Sequence, residues 1–278
     1  MNTSRKISRT VSGSNQVDGA GVHLVRVLGP AQTKEFDPFL MLDAFDSRNP
    51  ADYTKGFPWH PHRGIETVTY LMAGDIEHGD SLGNKGHIRD GGCQWMTAGS
   101  GIIHQEMPQA SPHMLGLQLW VNLPRKDKWV HPQYRDIKAE LIPKVQEKAG
   151  MVGVISGTYG KVKGALQGDY VQARVLDVAL KPDAAWSLPV DPQSTLFIYI
   201  VQGAGLFGDP VVRVESHRAV LFGEGDQFSL QAGPEGIRFL LFAGRPLREP
   251  IASPAFISVP QAKRVVKVCQ YSFSPARM

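Results

Sequence analysis

Two pairs of residues in the amino-terminal half have the types and spacing of metal ligands. His60 and His62 are two positions apart, as are His104 and Glu106, which follow the glycine-rich turn at 98–101. Side chains alternate between the faces of a β-strand, so the members of each pair would share one face. Three imidazoles and one carboxylate suit one divalent metal ion, iron (Fe2+) first, with manganese, nickel, copper and zinc as alternatives. Four protein ligands leave an octahedral metal two open positions for substrate and oxygen.

Other interpretations exist for part of this pattern. A His-x-His pair alone is more often a polar strand face than a metal site. Glu66 follows His60 and His62 at an even spacing, so on a continuous strand it would lie on their face. It could then face the metal, or it could pair with Arg63 or another buried polar group. A ligand set without cysteine argues against a purely structural zinc site. The remaining histidines lack partners at strand spacing, and we expect solvated or capping roles for them: His23, His78, His87, His113, His131 and His217.

The elements that must position these residues are short strands. Runs rich in Val, Ile, Tyr, Phe and Thr are punctuated by glycine and show no helical period, which is typical of a β-sandwich or barrel. Pro58 and Pro61 place the first histidine pair at a strand start, a sheet edge or a bulge, because proline cannot donate to a ladder. We therefore predict an all-β chain with few short helices.

An internal repeat indicates two tandem copies of one β unit. The segment 70–76 is echoed 129 residues later by 199–205, and Ala98-Gly99 is answered by Ala232-Gly233. The charged, proline-interrupted stretch 124–150 is the expected connector, which puts the domains at residues 1–136 and 137–278. At the second copy's ligand positions stand Pro189, Asp191, Arg238 and Leu240. We expect that copy to hold no metal.

Composition and charge exclude several classes of protein. The apolar runs are far shorter than the ~18 residues of a membrane span, and the first fifteen residues lack the apolar stretch of a secretory signal. Seven basic residues lie before the first acid, Asp18, or after the last, Glu249, so the stretch between them carries −3 of a total of +4. A folded domain that binds the phosphates of nucleic acids has its Lys and Arg clustered on one face of the domain. We expect a cytoplasmic monomer that binds neither nucleic acid nor membranes.

The sequence resembles the pirins, a family of two-domain cupins. The resemblance covers about residues 17–250 and is densest before Pro124. Its motifs are 36–40, 60–64 through Tyr70-Leu71, 78–86, 94–99, 101–107 and 119–124. It implies a bicupin of two tandem jelly-roll β-barrels, with a metal held by His60, His62, His104 and Glu106. It also implies that Glu66, which matches the glutamate of other cupins, is not a ligand.

The resemblance implies two functions that share this site. The first is an iron-dependent dioxygenase of the quercetinase type, which cleaves a flavonol with O2 and releases carbon monoxide and a depside. Glu106 is then the expected catalytic residue, because a carboxylate beside the metal can take the proton of the flavonol 3-hydroxyl. The second is a redox-sensitive regulatory protein whose iron state changes its affinity for a protein partner, either a transcription factor or a metabolic enzyme complex.

The carboxy-terminal end departs from the family pattern. From about residue 255 the chain has a basic, strand-like tail containing Lys263, Arg264 and Lys267, where pirins usually have an acidic amphipathic helix. We expect the last ~15 residues to be loosely ordered or remodelled, as chain ends that are not tied down usually are.

Overall fold

The computed structural model describes residues 3–251, which form antiparallel β-sheets joined by short connections. The first twelve strands are β1 (Ile7–Val11), β2 (Ser14–Asp18), β3 (Val22–Leu28), β4 (Phe39–Ser47), β5 (Phe57–His62), β6 (Ile65–Ala73), β7 (Asp75–Asp80), β8 (Lys85–Arg89), β9 (Cys93–Thr97), β10 (Ile102–Pro108), β11 (Met114–Asn122) and β12 (Gln133–Ile137). The other ten are β13 (Lys144–Gln146), β14 (Gly150–Ser156), β15 (Thr158–Tyr159), β16 (Val162–Lys163), β17 (Arg174–Leu180), β18 (Ala185–Pro189), β19 (Thr195–Phe207), β20 (Val212–Glu215), β21 (Arg218–Phe222) and β22 (Gln227–Gly244). The helical elements are α1 (Thr33–Phe36) and 3-10 turns at Pro50–Asp52, Arg125–Asp127 and Ala139–Leu141.

Two sheets enclose the amino-terminal domain. The larger has the strand order β12-β9-β6-β11-β4-β3-β2, and the smaller has the order β5-β10-β7-β8. Phe45 and Leu71 from the larger sheet pack in one buried cluster with Ile76 and Ile88 from the smaller sheet. The core of this domain therefore lies between the two sheets, and side chains that point inward from either sheet meet there.

The carboxy-terminal domain is built on one nine-stranded sheet. Its longest strand, β22, pairs with β18 through its first half and with β17 through its second half. Phe228 and Phe239, one from each half, pack in the same buried cluster with Trp186 and Ile198. The sheet thus wraps around its own core. Strand β1 (Ile7–Val11) pairs with β21 and so belongs to the carboxy-terminal sheet.

The second face of the larger amino-terminal sheet is covered by the carboxy-terminal domain. Val68 and Trp95 of this sheet are buried in one cluster with Val175 and Phe242. The Tyr70 hydroxyl donates a 2.8 Å hydrogen bond to Asp177 across the same boundary. Because both faces are covered, β6 is buried over most of its length and reads as a continuous apolar and neutral run with one charged residue, Glu66.

The all-β prediction is confirmed, with 59% of the described residues in strands and 5% in helices. Within residues 3–251 no helix has both the length and the apolar character needed to cross a membrane. The division at residues 136 and 137 stays a prediction. The basic tail from about residue 255 lies outside the described residues.

Candidate metal centre

Strands β5 and β10 bring the predicted histidines together. They pair antiparallel, with His104 opposite His60 and Ile102 opposite His62. β5 is the edge strand of the smaller sheet, as its prolines predict. The alternation holds on both strands, since the histidines turn inward while Ile103 on the outer face is 46% exposed.

The three imidazoles form a compact group. The His104 ring lies 4.4 Å from the His60 ring and 4.9 Å from the His62 ring, measured between centroids. The Nε2 atoms of His60 and His62 are 3.0 Å apart. His60 Nδ1 donates to the carbonyl oxygen of Pro58 at 2.8 Å, so its Nε2 is free of a proton in the neutral ring. Candidate ligand atoms of all three lie within 4.8 Å of one another, and within residues 3–251 this is the one group of three or more His, Cys, Asp or Glu side chains placed to hold a metal ion.

His104 gives the strongest sign that these residues fit a metal ion. Its ring is fully buried, and neither ring nitrogen has a hydrogen-bond partner. A buried polar atom without a partner is costly, and a metal bond would satisfy one of the two nitrogens. Burial, with the neighbouring histidines, lowers the pKa of His104 well below its usual range. Burial and His60 lower the pKa of His62 to about 3. These two rings stay neutral near pH 7, as metal ligands must.

Glu106 lies next to this group and is anchored by other side chains. Between His104 and Glu106 the pairing with β5 has its extra residue on β5, whereas β10 keeps an unbroken register against β7. Glu106 therefore keeps the alternation of β10 and lies on the same face as His104. Gln118 Nε2 donates to both carboxylate oxygens at 2.9 and 2.8 Å, and Thr69 donates to Oε1 at 3.1 Å. Trp120 Nε1 donates to Gln118 Oε1 at 3.3 Å, which fixes the orientation of the amide. The structure thus groups three histidines, whereas the predicted fourth ligand, Glu106, is not part of that group and is held by Gln118 and Thr69 two residues after His104.

Glu66 faces the other side of the larger sheet. It accepts a 2.7 Å hydrogen bond from Thr97, and its Oε2 is buried without a partner. Burial raises the pKa of Glu66 to about 7, although the Thr97 hydrogen bond opposes the rise. Gly64, at φ +68, separates β5 from β6, so the chain passes from one sheet to the other between His62 and Glu66. Even spacing in the sequence therefore does not place Glu66 on the face of His60 and His62.

His78 is the neighbour that sequence reasoning missed. The prediction of a solvated or capping role was wrong for this residue, which is 4% exposed and lies opposite Glu106 in the β7–β10 pairing. Its ring stacks on Tyr134 at 4.1 Å and lies 5.3 Å from the His104 ring. Gln94 Nε2 donates to His78 Nδ1 at 2.6 Å. A usable signal was the alternation of His78 with Asp80, which repeats the spacing of the other two pairs.

An apolar wall adjoins the histidines. Ile65, Met96 and Ile102 are buried in one cluster, against which the half-buried Trp120 packs. The Trp120 ring lies 4.9 Å from the ring of His62 in an edge-to-face arrangement. A flat organic molecule next to the imidazoles would therefore meet aromatic and aliphatic surface.

The match to family sequence profiles decides the relationship. The profile described as Pirin matches residues 21–121, and the one described as Pirin C-terminal cupin domain matches residues 175–257. The chain belongs to the pirin family. It is 40% identical over 255 residues to pirin of Homo sapiens, covering 90% of this chain and 86% of that protein. It is 42% identical over 250 residues to a pirin-like protein of Caulobacter vibrioides, covering 89% and 90%.

A solved structure of another protein has the same fold. The structure of quercetin 2,3-dioxygenase from Acinetobacter baumannii superposes with a TM-score of 0.84, at 29% sequence identity and 96% coverage of both chains. The resemblance predicted from the motifs is confirmed at the level of the family and of its two-domain cupin architecture.

Proposed function

We propose that the protein is a metal-dependent dioxygenase of the quercetinase type, with iron as the metal and a flavonol and O2 as substrates. The observation that carries the proposal is the convergence of three imidazoles around the unpartnered nitrogens of His104. Two of these rings are held neutral by burial. Histidines completed by one carboxylate are the donor set of non-haem iron oxygenases, and manganese, nickel, copper and zinc are the alternatives.

In this proposal His60, His62, His104 and Glu106 hold the metal. The bound ion supplies the redox and Lewis-acid chemistry that O2 and the flavonol require. Glu106 also accepts the proton of the flavonol 3-hydroxyl. Gln118 holds the Glu106 carboxylate in place through two donated hydrogen bonds.

The surroundings of the site suit a flavonol. Trp120 and the apolar cluster next to it offer the flat, largely apolar surface on which an aromatic ring system packs. The relative from Acinetobacter baumannii, which is similar over nearly its whole length, carries the name quercetin 2,3-dioxygenase. The proposed reaction consumes one O2 per flavonol and releases one carbon monoxide and one depside, which balances all atoms. We place it in a cytoplasmic monomer that acts without nucleic acid or membrane.

A second candidate function is a redox-sensitive regulatory protein that binds a protein partner. The observation that favours it is the outer face of the ligand-bearing strands, where Trp59 is 55% and Ile103 46% exposed. These side chains alternate with the histidines on β5 and β10, so a change at the metal is one residue away from an exposed apolar surface. In this function iron is present without turnover.

Oxygen uptake and carbon monoxide release with quercetin test the first function. The wild type, loaded with iron under anaerobic conditions, should consume O2 and release carbon monoxide in equal amounts. His62→Ala should lose both, whereas His87→Ala, at a 43% exposed histidine of β8, should retain them. Stoichiometric iron without uptake would reject the dioxygenase and favour the regulatory protein. Partner capture in the ferrous and ferric states would then test that second function.

A further inference from the structure

A cavity lies in the carboxy-terminal domain and is lined by none of the candidate metal ligands. It has a volume of about 530 Å³, within the usual range for small-molecule sites. Val190, Ala243 and Leu247 give it apolar walls, and Tyr170 adds an aromatic ring. Its cations are Arg174 and Arg245. The cavity therefore combines apolar surface with guanidinium groups.

Arg174 is the cation of this cavity that has few hydrogen bonds to the protein. It opens strand β17, is half-buried, and makes one hydrogen bond, from Nη1 to the carbonyl oxygen of Pro189 at 3.2 Å. It forms no ion pair with a carboxylate among residues 3–251. Burial lowers its pKa, against the attraction of Asp191. A guanidinium has five N–H donors, so most of those on Arg174 are available to a ligand.

The carboxylate that attracts Arg174, that of Asp191, already accepts hydrogen bonds from other groups. Asp191 Oδ2 accepts a 2.6 Å hydrogen bond from Arg245, and Oδ1 accepts one from the backbone N–H of Gln193 at 3.0 Å. Arg5, which is 4% exposed, donates to the backbone oxygen of Asp191 instead of its carboxylate. Three guanidiniums thus lie around Asp191, and Glu224 also attracts one of them, Arg5. Arg174 is left without a hydrogen bond to any carboxylate of the described residues.

We propose that this cavity binds a small organic monocarboxylate. The carboxylate group pairs with Arg174, whose planar fork matches it with two parallel hydrogen bonds. The apolar body of the ligand packs against Val190 and Leu247. One uncompensated guanidinium matches a single negative charge, and apolar walls favour an organic anion over inorganic phosphate. The site lies in the other domain from the proposed metal centre and does not depend on it.

Calorimetric titration of the full-length protein with benzoate tests this proposal. Wild type should bind benzoate, and Arg174→Gln should weaken the Kd by about tenfold or more, because a hydrogen-bonded charge pair is lost. The matched control is Arg213→Gln, since Arg213 is an exposed arginine already paired with Glu215, and it should leave the Kd unchanged. Gln172→Trp places a bulky ring at an exposed position of the cavity wall and should also weaken binding.

Three results would overturn the proposal. The first is benzoate binding that neither Arg174→Gln nor Gln172→Trp weakens, with folding checked by circular dichroism. The second is binding of inorganic phosphate without binding of benzoate, which would leave a simple anion site. The third is loss of benzoate binding in His62→Ala, which would put the ligand at the metal. Benzoate binding retained in His62→Ala supports the cavity even where dioxygenase activity is absent.

Discussion

Replacing Glu66 with glutamine should change how the stability of the protein depends on pH. Burial raises the pKa of Glu66 from an ordinary 4.5 to about 7, so the folded protein holds this proton more tightly than the unfolded chain does. Stability therefore falls as the pH rises from about 4.5 to about 7, and the cost is complete above pH 7. At about 1.4 kcal/mol per pKa unit, the difference amounts to about 3 kcal/mol. Glutamine cannot ionise and avoids this cost.

The surroundings of Glu66 explain why its charge is poorly compensated. Thr97 donates to one oxygen, while the other is buried without a partner. Arg135, the cation that acts on it, is paired with Asp169, whose negative charge opposes the ionisation of Glu66. Tyr170 is the other titratable group whose ionisation is coupled to this carboxyl. The pKa of Tyr170 is raised above its usual value, so its hydroxyl stays neutral between pH 4.5 and 8 and does not alter the charge around Glu66.

Urea unfolding of the two proteins between pH 4.5 and 8 measures the effect. The free energy of unfolding of Glu66→Gln minus that of wild type should rise by about 3 kcal/mol over this interval. Glu224→Gln, at an exposed carboxylate, is the control and should show no comparable rise. Parallel pH profiles for Glu66→Gln and wild type would show that Glu66 ionises normally in the folded state and would refute the reasoning.

Three further variants test other parts of the structure. Gln118→Leu removes both amide hydrogen bonds to Glu106 and should lower kcat about 10- to 100-fold, whereas Gln105→Leu on the outer face should leave kcat unchanged; equal kcat values for the two would contradict the anchoring role. Glu106→Gln should lose turnover while keeping part of its iron, and full turnover with bound metal would exclude the base role. Tyr70→Phe removes the hydrogen bond to Asp177 between the domains and should lower the free energy of unfolding by about 1.5–3 kcal/mol, measured in urea; no change would show that the bond adds nothing.

The histidine group could be predicted from sequence because it depends on local geometry. Alternation along a strand applies within β5 and within β10, so the face shared by His60 and His62, and the one shared by His104 and Glu106, follow from residue spacing. The prolines of β5 exclude a central position in a sheet, and the strand lies at an edge. That β5 and β10 are neighbours is a long-range fact, which the motif resemblance implied and strand spacing alone did not.

Other features of the site depend on contacts that spacing cannot reveal. Glu66 lies beyond Gly64, where the chain changes sheets and the argument from even spacing fails. His78 is buried because Tyr134 and Gln94, distant in sequence, pack against it. The anchoring of Glu106 by Gln118 likewise joins two strands of different sheets. Sequence patterns show which way a side chain points within one strand, whereas the partner it meets is set by the packing of the two sheets.

The iron content of the purified protein is the most direct test of the metal centre. Protein reconstituted anaerobically with ferrous iron and then desalted should retain one iron per chain by elemental analysis. His104→Ala should retain little, because it removes the buried ring whose nitrogens lack other partners, whereas His113→Ala, at a surface histidine bonded to Asp46, should match the wild type. Equal iron in His104→Ala and wild type, or no retained iron in wild type, would contradict the account.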